Sequence, residues 1–308
     1  MNSMTASRLP KNSGKNMSDF LQRVQSGDIL ISDGATGTYL QANGLEPGGC
    51  PELMNDTHPE IVRQMASQYF AAGSNMVETN SFGGSRYMLK KYEQGHRVEE
   101  LNRKGAELAR AVAPDGCFVL GSIGPTGEFL QPSGTATEED MYNVFCEQSR
   151  GLAAGGVDAI CIETMSDLGE TTIALRAAKD TTGLPVVTTM TFDKGPRGYF
   201  TMMGVTPAMA AEQLSEAGAD VVGSNCGLPI EALLEIVTAM RAVTTTPILT
   251  HINAGIPKII GKEIVYPDTP DHMATEMTKM VAAGANIVGG CCGTSPDYVR
   301  AFVQTLRN

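Results

Sequence analysis

The sequence predicts an α/β protein of the (β/α)8 class, the TIM barrel. One phrase occurs four times, in which a helix ends at Ala-Gly and a short apolar strand follows, at 71–79, 153–164, 216–226 and 282–292. Around these junctions, apolar segments alternate with segments of helical periodicity. Continuous apolar strands between helices indicate a parallel sheet covered on both faces. The length of 308 residues also suits one barrel, which typically needs about 250 residues.

The predicted strands follow one another in chain order. They are 29–33, 75–79, 117–121, 158–162, 185–190, 220–224, 247–251 and 286–290. Among the helices between them, one opens at His58–Pro59, and the last has Ser295 as N-cap and Pro296 in its first turn. An open doubly wound sheet is the alternative, but DGATGT at 33–38 does not fit its G-x-G-x-x-G fingerprint.

Composition limits the classes of partner. The hydrophobic share of 42% and the charged share of 19%, with no apolar run near the roughly 20 residues of a membrane span, predict a globular protein without a membrane helix. The net charge of −11 disfavours nucleic acid, whose binding depends on Lys and Arg. Seven irregularly spaced cysteines predict free thiols and a cytoplasmic location. Residues 1–17 are expected to be a disordered leader before a single barrel domain over 18–308, and the oligomeric state stays open.

Polar and sulfur-bearing residues concentrate where the predicted strands end. In a barrel of this class the carboxyl ends of all strands meet at one mouth, which carries the active site. We therefore expect one site that draws on the following residues: Asp33, Glu78, Thr79, Asn80, Glu163, Asn225, Cys226, Asn253, Cys291 and Cys292.

Three cysteines at this mouth predict a zinc site. Cys226 ends the sixth strand and Cys291 and Cys292 end the eighth, so three thiolates are expected to share one ion. Three protein ligands with a free fourth position are typical of a catalytic zinc. Because a metal-bound thiol is deprotonated, the expected substrate is a thiol that becomes alkylated. The glycines of GGCCGT, 289–294, are expected to leave room for the metal and the substrate.

Other interpretations of the cysteines stay open at this stage. Cys291 and Cys292 are also compatible with a strained vicinal disulfide, and GGCCGT with a phosphate-binding loop, although such a loop needs no thiols. Because cysteine is among the most often buried residues, Cys117, Cys146 and Cys161 are expected in the core.

Two acids at the predicted mouth indicate an amino-acid substrate. Asp33 and Glu163 are compatible with strand-end caps, but as a pair they would hold an α-ammonium group, which we favour. Backbone N–H groups for a carboxylate are expected from Gly34, Thr36, Gly37 and Thr38.

Further candidates carry less specific signals. Asn80 and Asn253 are expected to contact the substrate because they follow strand ends. His251 is expected to be a hydrogen-bonded core residue, with a metal ligand as the alternative.

Taken together, the motifs resemble the homocysteine S-methyltransferase family over roughly residues 28–305. The similarity is carried by DGATGT, HPEIV, AGSNMVETNSFGGSR, GSIGPTGE, ETMSD, GSNCG, NAGIP and GGCCGTSPDYV. The resemblance implies a zinc-dependent barrel enzyme of the EC 2.1.1 class that transfers a methyl group to homocysteine and gives methionine. It also implies Zn²⁺ on Cys226, Cys291 and Cys292. By the same matching, Asp33 with Gly34 and Glu163 look like contacts of the amino and carboxylate groups.

The methyl donor is left open by the resemblance. Betaine, a related onium compound, S-methylmethionine and a methyl-corrinoid partner protein are all compatible with it. Betaine recognition normally uses an aromatic cage, and where betaine enzymes carry cage aromatics this chain has Cys50, Gly83 and Thr164. Four aromatic residues near the predicted mouth are candidates to replace them: Tyr39, Phe82, Phe192 and Tyr199.

Two questions remain at the sequence level. Glu78 stands where the resemblance predicts an uncharged residue, and it would either meet a cationic donor or pair inside the barrel. The alternatives to homocysteine methylation are methylation of another thiol or of a corrinoid protein, and a non-catalytic zinc-binding barrel subunit.

Overall fold

The computed structural model describes residues 18–261 and 263–307, and its main feature is an eight-stranded parallel sheet rolled into a barrel. The expected leader, 1–17, lies outside the described residues.

The strands are β1 Leu30–Ile31, β2 Met76–Glu78, β3 Phe118–Ile123, β4 Ala159–Met165, β5 Val186–Met190, β6 Asp193–Gly195, β7 Gly198–Phe200, β8 Val221–Asn225, β9 Ile248–Ile252, β10 Lys258–Ile260, β11 Glu263–Val265 and β12 Ile287–Gly290. The helices are α1 Ser18–Gln25, α2 Thr36–Ala42, α3 Met54–Thr57, α4 Pro59–Ala72, α5 Arg86–Lys90, α6 Val98–Arg110, α7 Glu138–Ala154, α8 Leu168–Thr182, α9 Pro207–Glu216, α10 Ile230–Arg241, α11 Pro270–Ala282 and α12 Pro296–Leu306.

The barrel strands are the eight that the sequence predicts. Their order in the sheet is β1-β12-β9-β8-β5-β4-β3-β2, and every pairing within it is parallel. The (β/α)8 prediction is therefore confirmed, and the doubly wound alternative is wrong. The predicted caps of the last helix also hold, since Ser295 accepts a hydrogen bond from the N–H of Asp297 and Pro296 stands in the first turn.

The repeated Ala-Gly junction has a function that the sequence pattern did not reveal. In each copy a glycine with positive φ follows the helix within two residues of its end, and the Asn or Asp two residues later accepts a hydrogen bond from a backbone N–H of a neighbouring strand. The four pairs are Asn75 with Ile31, Asp158 with Val119, Asp220 with Val186, and Asn286 with Ile248, at 2.8–2.9 Å. The repeat thus fastens the amino ends of the strands together.

One of these residues closes the barrel. No ladder joins β1 to β2 in the sheet order. Asn75 bridges them instead, because its N–H donates to the carbonyl of Ile31 at 2.7 Å while its Oδ1 accepts from the N–H of the same residue. The floor of the barrel is covered by α1, whose Phe20 packs edge-on against Phe118 at 5.4 Å.

Side-chain alternation along the strands fills the barrel in layers. The lower interior is apolar and includes Met76, Cys161 and Leu249, each fully buried. Two residues further along the same strands, and so on the same face, come Glu78, Glu163 and His251. The upper layer of the interior is therefore polar and ionisable. The sequence-based boundary put Glu163 at the end of its strand, whereas the structure places this residue inside β4.

Two β-hairpins lie in the loops at the carboxyl side of the barrel. The sequence did not predict them. β6 and β7 pair antiparallel in the loop after β5, and β10 and β11 pair in the loop after β9. Strands of three residues carry too little alternation to stand out in a sequence. None of the helices in the described part of the chain has the length and apolar character needed to span a membrane.

Candidate metal and substrate site

A cavity of about 360 Å³ opens at the carboxyl ends of the barrel strands. Its walls come from the loops after β1 and β2 and from the upper parts of β4, β8, β9 and β12. The sequence-predicted site residues that line it are Gly34, Thr36, Gly37, Thr38, Glu78, Thr79, Asn80, Glu163, Cys226, Cys291 and Cys292. Asp33 and Asn253 are buried behind the wall, at 2% and 7% exposure.

The three predicted cysteine ligands come together on one wall of this cavity. Their Sγ atoms all lie within 4.8 Å of one another, and those of Cys226 and Cys292 are 3.8 Å apart. Two thiolates on one tetrahedral zinc, each at about 2.3 Å, are separated by about 3.8 Å, so the donor set fits that metal. None of the seven cysteines, all of which lie within the described residues, is joined in a disulfide, and Cys291 and Cys292 form no vicinal disulfide.

Backbone hydrogen bonds hold the cysteines at the tops of their strands. The N–H of Cys226 donates to the carbonyl of His251 at 3.1 Å, and the N–H of Cys291 donates to the carbonyl of Ile252 at 2.7 Å. Cys226 has a φ of 60°, a left-handed conformation that is uncommon for a residue with a side chain. Such strain persists where neighbouring contacts impose it, and it often marks a functional site.

Hydrogen bonds of Asn225, the residue before Cys226, hold the backbone in place at this point. Its Oδ1 accepts from the N–H of Thr164 at 2.9 Å and from the hydroxyl of Thr189 at 2.8 Å, and its Nδ2 donates to the hydroxyl of Thr164 at 2.7 Å. Thr164 is itself left-handed, with a φ of 61°. Asn225 thus joins the top of β4 to β8. Because it directly precedes Cys226, its hydrogen bonds also restrain the backbone at that cysteine.

The thiols share protons unequally in the protein without metal. Hydrogen bonds from Cys291 and Cys292 lower the pKa of Cys226 to about 3. Its hydrogen bonds to Cys226 and Cys292, its burial and the repulsion between neighbouring thiolates raise the pKa of Cys291 well above its ordinary value. A cation among the three sulfurs would remove this repulsion.

The glycines around the cysteines are required by the protein's own packing, and the expectation that they also leave room for the metal and the substrate stays a prediction. A Cβ on Gly290 would lie 2.2 Å from Oγ1 of Thr294, and one on Gly293 would lie 2.2 Å from the ring of Tyr266. Thr294 also accepts from the N–H of Ala35 at 3.1 Å and so ties this loop to the loop after β1. The glycines therefore serve close contacts between protein loops.

Asp33 supports the polar layer from behind. Its Oδ1 accepts from the hydroxyl of Ser32 at 3.0 Å, and its Oδ2 accepts from the N–H of Glu78 at 2.8 Å. Burial raises the pKa of Asp33 to about 6. Each of the two carboxyl oxygens thus accepts one hydrogen bond from the protein.

Glu163 faces the cavity. The hydroxyl of Ser122 donates to its Oε1, and Nδ2 of Asn225 donates to its Oε2 at 3.5 Å. Burial, together with the charges of Asp33 and Cys226, raises the pKa of Glu163 to about 7. A cation placed beside this carboxylate would favour its charged form.

Glu78 and His251 complete the layer. Burial and the charges of Glu163 and Asp33 raise the pKa of Glu78 well above its ordinary value. Burial lowers the pKa of His251 to about 4. Within the described residues Nε2 of His251 has no hydrogen-bond partner. His251 lines the cavity, and the expectation that it is a hydrogen-bonded core residue is therefore wrong.

Cys117, Cys146 and Cys161 belong to the core, as expected. Cys146 and Cys161 are buried, and Cys117 is half-buried and packs against the outer core.

The aromatic residues proposed to replace a betaine cage are mostly elsewhere. Phe82 lines the cavity, whereas Phe192 is buried in the core and Tyr39 packs against Tyr69 at 6.3 Å. Tyr199 lies on the hairpin strand β7, outside the cavity wall.

Three further residues of the outer wall were missed by the sequence analysis. Glu52, Met88 and Tyr92 line the cavity near Phe82 and Gly83. Oε1 of Glu52 accepts from the N–H of Gly83 at 2.6 Å, and Cys50 donates to its Oε2 at 3.5 Å. These residues follow no strand end, so no positional signal in the sequence singled them out.

The fold and the site define a class of protein, a (β/α)8 barrel with three thiols that can hold a metal ion at its mouth. The family model described as homocysteine S-methyltransferase matches residues 30–306. The chain belongs to this family, and the membership predicted from the sequence is confirmed.

Curated relatives agree with this placement. The chain is 33% identical over 305 residues to methionine synthase of Mycobacterium tuberculosis and 32% identical over 298 residues to that of Mycobacterium leprae. These matches cover 92% and 90% of the chain but only 25% and 24% of the relatives, so the chain spans about a quarter of their length.

Solved structures share the fold. The metallated form of the homocysteine methyltransferase MmuM from Escherichia coli superposes with a TM-score of 0.77 at 21% identity, covering 95% of this chain and 100% of that one. The carboxyl transferase domain Y628A of Rhizobium etli pyruvate carboxylase reaches a TM-score of 0.55 at 15% identity, covering 94% and 49%. At these identities the comparison establishes the barrel alone.

Proposed function

We propose that this chain is a zinc-dependent S-methyltransferase that methylates the thiol of homocysteine to give methionine. The observation that carries the proposal is that three thiols, within 4.8 Å of one another, form one wall of a cavity whose next wall is a buried layer of carboxyl groups. Family membership supports the choice of homocysteine.

Cys226, Cys291 and Cys292 would hold the zinc. When bound, zinc supplies a positive charge that keeps a thiol ionised at neutral pH. The cavity beside the cysteines admits the substrate sulfur, and no general base is assigned among the protein's residues. In the reaction a bond forms between the sulfur and the methyl carbon, the bond from that carbon to the donor breaks, and its electron pair leaves with the donor.

The amino-acid part of the substrate would extend along the neighbouring wall. Glu163 is proposed to meet the ammonium group, and the loop at Gly34 and Thr36 to meet the carboxylate through backbone N–H groups, since the first N–H groups of α2 lack partners within the helix. Asn80 shapes the same wall, because its side chain donates to the carbonyl of Pro51 at 2.7 Å. Asn253, buried behind the cavity wall, is proposed to act on the site through Cys226, whose pKa is lowered mainly by hydrogen bonds from Cys291 and Cys292 and in smaller part by Asn253.

The donor would enter over the outer wall. Phe82, Tyr92 and Met88 present apolar and aromatic surface there, and Glu52 adds a buried carboxyl group. An onium compound, S-methylmethionine and a methyl-corrinoid partner protein remain candidate donors. A cytoplasmic location stays part of the proposal, supported by seven cysteines of the described residues that are not joined in disulfides.

A donor panel tests this function. Zinc-loaded protein and homocysteine are incubated with betaine, dimethylsulfoniopropionate, S-methylmethionine or methylcobalamin, and methionine is quantified by mass spectrometry. We expect methionine from at least one donor, and its loss in Cys292→Ser. Full zinc loading without methionine from any donor, and without homocysteine binding, would favour the non-catalytic barrel.

A further inference from the structure

The loop between β2 and α5, residues 79–85, forms part of the cavity wall. Thr79, Asn80, Phe82 and Gly83 line the cavity from this loop. The ladder that joins β2 to β3 ends at Glu78. Because the buried backbone groups beyond that point still need partners, other hydrogen bonds have to hold the loop in place.

Side-chain amides of two outer helices bind the backbone of this loop. Nε2 of Gln148, on α7, donates to the carbonyl of Ser81 at 2.8 Å, and Nδ2 of Asn102, on α6, donates to the carbonyl of Gly84 at 2.8 Å. Both amide side chains are fully buried. The two bonded carbonyls lie on either side of the loop residues that form the outer wall of the cavity.

Helix packing alone does not explain these amides. Gln148 lies on the buried face of α7 among apolar residues such as Val144 and Leu152. Within the described residues, Oε1 of Gln148 and Oδ1 of Asn102 are buried without a hydrogen bond. An apolar residue of similar size would avoid the cost of burying such an atom. The bonds to the loop are therefore what these amides contribute.

Gly84 allows the loop to approach α6 closely. A Cβ on Gly84 would clash with Oδ1 of Asn102 and would lie 2.8 Å from the carbonyl oxygen of Ser81. These separations are shorter than van der Waals contact. A side chain at this position would therefore push the loop away from the helix.

The wall held in this way is the one assigned above to the methyl donor. Phe82, between the two bonded carbonyls, is 39% exposed and lines the cavity. Its own carbonyl accepts from the N–H of Gly124 at 2.9 Å. The three cysteines and the carboxyl layer, in contrast, stand in or directly after barrel strands that have their own ladders. A shift of the loop should thus disturb the outer wall and leave the metal side in place.

We propose that Gln148 and Asn102 are positioning residues for the methyl donor, because they hold the loop that brings Phe82 and Gly83 to the outer wall. Neither residue lines the cavity, so both act through the loop backbone. Since amides are uncharged, they bind the loop without adding charge beside the carboxyl layer. This inference rests on the proposed function, which assigns the donor to this wall.

Hydrogen exchange tests the hold on the loop without any substrate. Gln148→Met removes the amide at similar volume, and peptides covering residues 79–85 of the zinc-loaded protein should exchange about 3- to 10-fold faster, because one neutral hydrogen bond is lost. Asn102→Ser should have the same effect, and it carries the test if Gln148→Met does not fold by circular dichroism.

Asn286→Ala is the matched control. It removes a half-buried amide that accepts from the N–H of Ile248 at 2.9 Å, at the opposite end of the barrel. Exchange of residues 79–85 should stay within about twofold of the parent protein in this variant, because its lost bond is remote from the loop.

Steady-state kinetics separates a positioning role from a structural one. With the donor of the panel that gives methionine fastest, the KM for the donor should rise about 3- to 10-fold in Gln148→Met and in Asn102→Ser. The KM for homocysteine and the zinc content should stay within about twofold of the parent protein, because the metal side does not depend on the loop.

Several outcomes would overturn the assignment. Unchanged exchange of residues 79–85 in both variants would mean that the amides do not hold the loop. Equal increases in the KM values for donor and homocysteine would leave Gln148 and Asn102 with a structural role only. Faster exchange with an unchanged KM for the donor would separate the loop from donor binding. If the parent protein makes no methionine with any donor, the proposed function fails and the donor assignment with it, whereas the exchange result does not depend on that function.

Discussion

The Sγ atoms of Cys226 and Cys292 lie 3.8 Å apart although 66 residues separate them in the chain. The barrel creates this proximity, because β8 and β12 both pair with β9 and all three end at the same mouth. The distance equals the separation of about 3.8 Å expected for two thiolates on one tetrahedral zinc.

Loss of one cysteine should abolish metal binding. Cys226→Ser replaces a soft thiolate with a poor zinc ligand, so the zinc content should fall from about one per chain to near zero. Elemental analysis after dialysis measures it. Cys146→Ala, which removes a buried thiol outside the cavity, is the matched control and should keep its zinc; retention of zinc in Cys226→Ser would contradict the site.

Asn225 should matter to both stability and metal affinity. Asn225→Ala removes its bonds to Thr164 and Thr189 and leaves their donors buried, which should reduce the free energy of unfolding by about 2–4 kcal/mol. Because Cys226 then loses its support, zinc affinity should fall at least about tenfold. Denaturant unfolding and a competitive zinc chelator measure the two effects.

The control for Asn225 is Thr189→Val. It deletes one hydroxyl donor at similar volume, so its cost should be about 1 kcal/mol and zinc affinity should change little. Equal effects of the two variants would mean that Asn225 has no particular role in placing Cys226.

Gly34 and Gly37 should respond differently to the same substitution. A Cβ on Gly34 would lie 2.6 Å from Oγ1 of Thr294 and 3.0 Å from the ring of Tyr69, whereas one on Gly37 meets nothing within 4 Å. Gly34→Ala should therefore reduce the free energy of unfolding by about 1–3 kcal/mol, and Gly37→Ala should not reduce it. Thermal unfolding measures both, and a neutral Gly34→Ala would show that the loop contact is dispensable.

The metal-free protein should carry a pH signature of Glu163. Burial raises the pKa of this carboxyl from 4.5 to about 7, so between these values the folded protein holds a proton that the unfolded chain has lost. The contribution of Glu163 to stability is thus full below pH 4.5 and is lost as the pH rises through about 7.

Removing the carboxyl isolates this contribution. The stability of Glu163→Gln relative to the parent protein should rise by about 1–3 kcal/mol between pH 4.5 and 7. Chemical unfolding at several pH values in the presence of a chelator measures the difference, and the exposed Glu231→Gln should show none. A constant difference would mean that Glu163 ionises normally in the fold.

Much of the fold could be predicted from the sequence because its signals are local and repeated. The Ala-Gly junctions and apolar runs located all eight barrel strands, and the parallel arrangement then brought Cys226 next to Cys291 and Cys292. The polar layer could not be assigned in the same way. Glu78 and His251 follow the inward-facing residues Met76 and Leu249 by two positions, so their direction agrees with the strand alternation. Their proximity to each other and to Glu163 arises only in the closed barrel, where β2, β4 and β9 face one another.

Other features left no local trace. The short hairpins are below the length at which alternation is recognisable. Glu52 and Tyr92 reach the cavity through loop geometry, and the engagement of Asp33 by Ser32 depends on a hydrogen bond that spacing does not encode. Sequence patterns therefore locate the mouth of the barrel better than they assign tasks to its acids.

Zinc-edge X-ray absorption of the purified protein, with and without homocysteine, tests directly whether three cysteines hold zinc and whether the substrate thiol becomes its fourth ligand. We predict three sulfur neighbours from the protein at about 2.3 Å, rising to four when homocysteine is added. The three-sulfur signal should be absent from Cys292→Ser. A fully zinc-loaded protein whose sulfur count does not change with homocysteine would contradict the binding of the substrate thiol to this zinc.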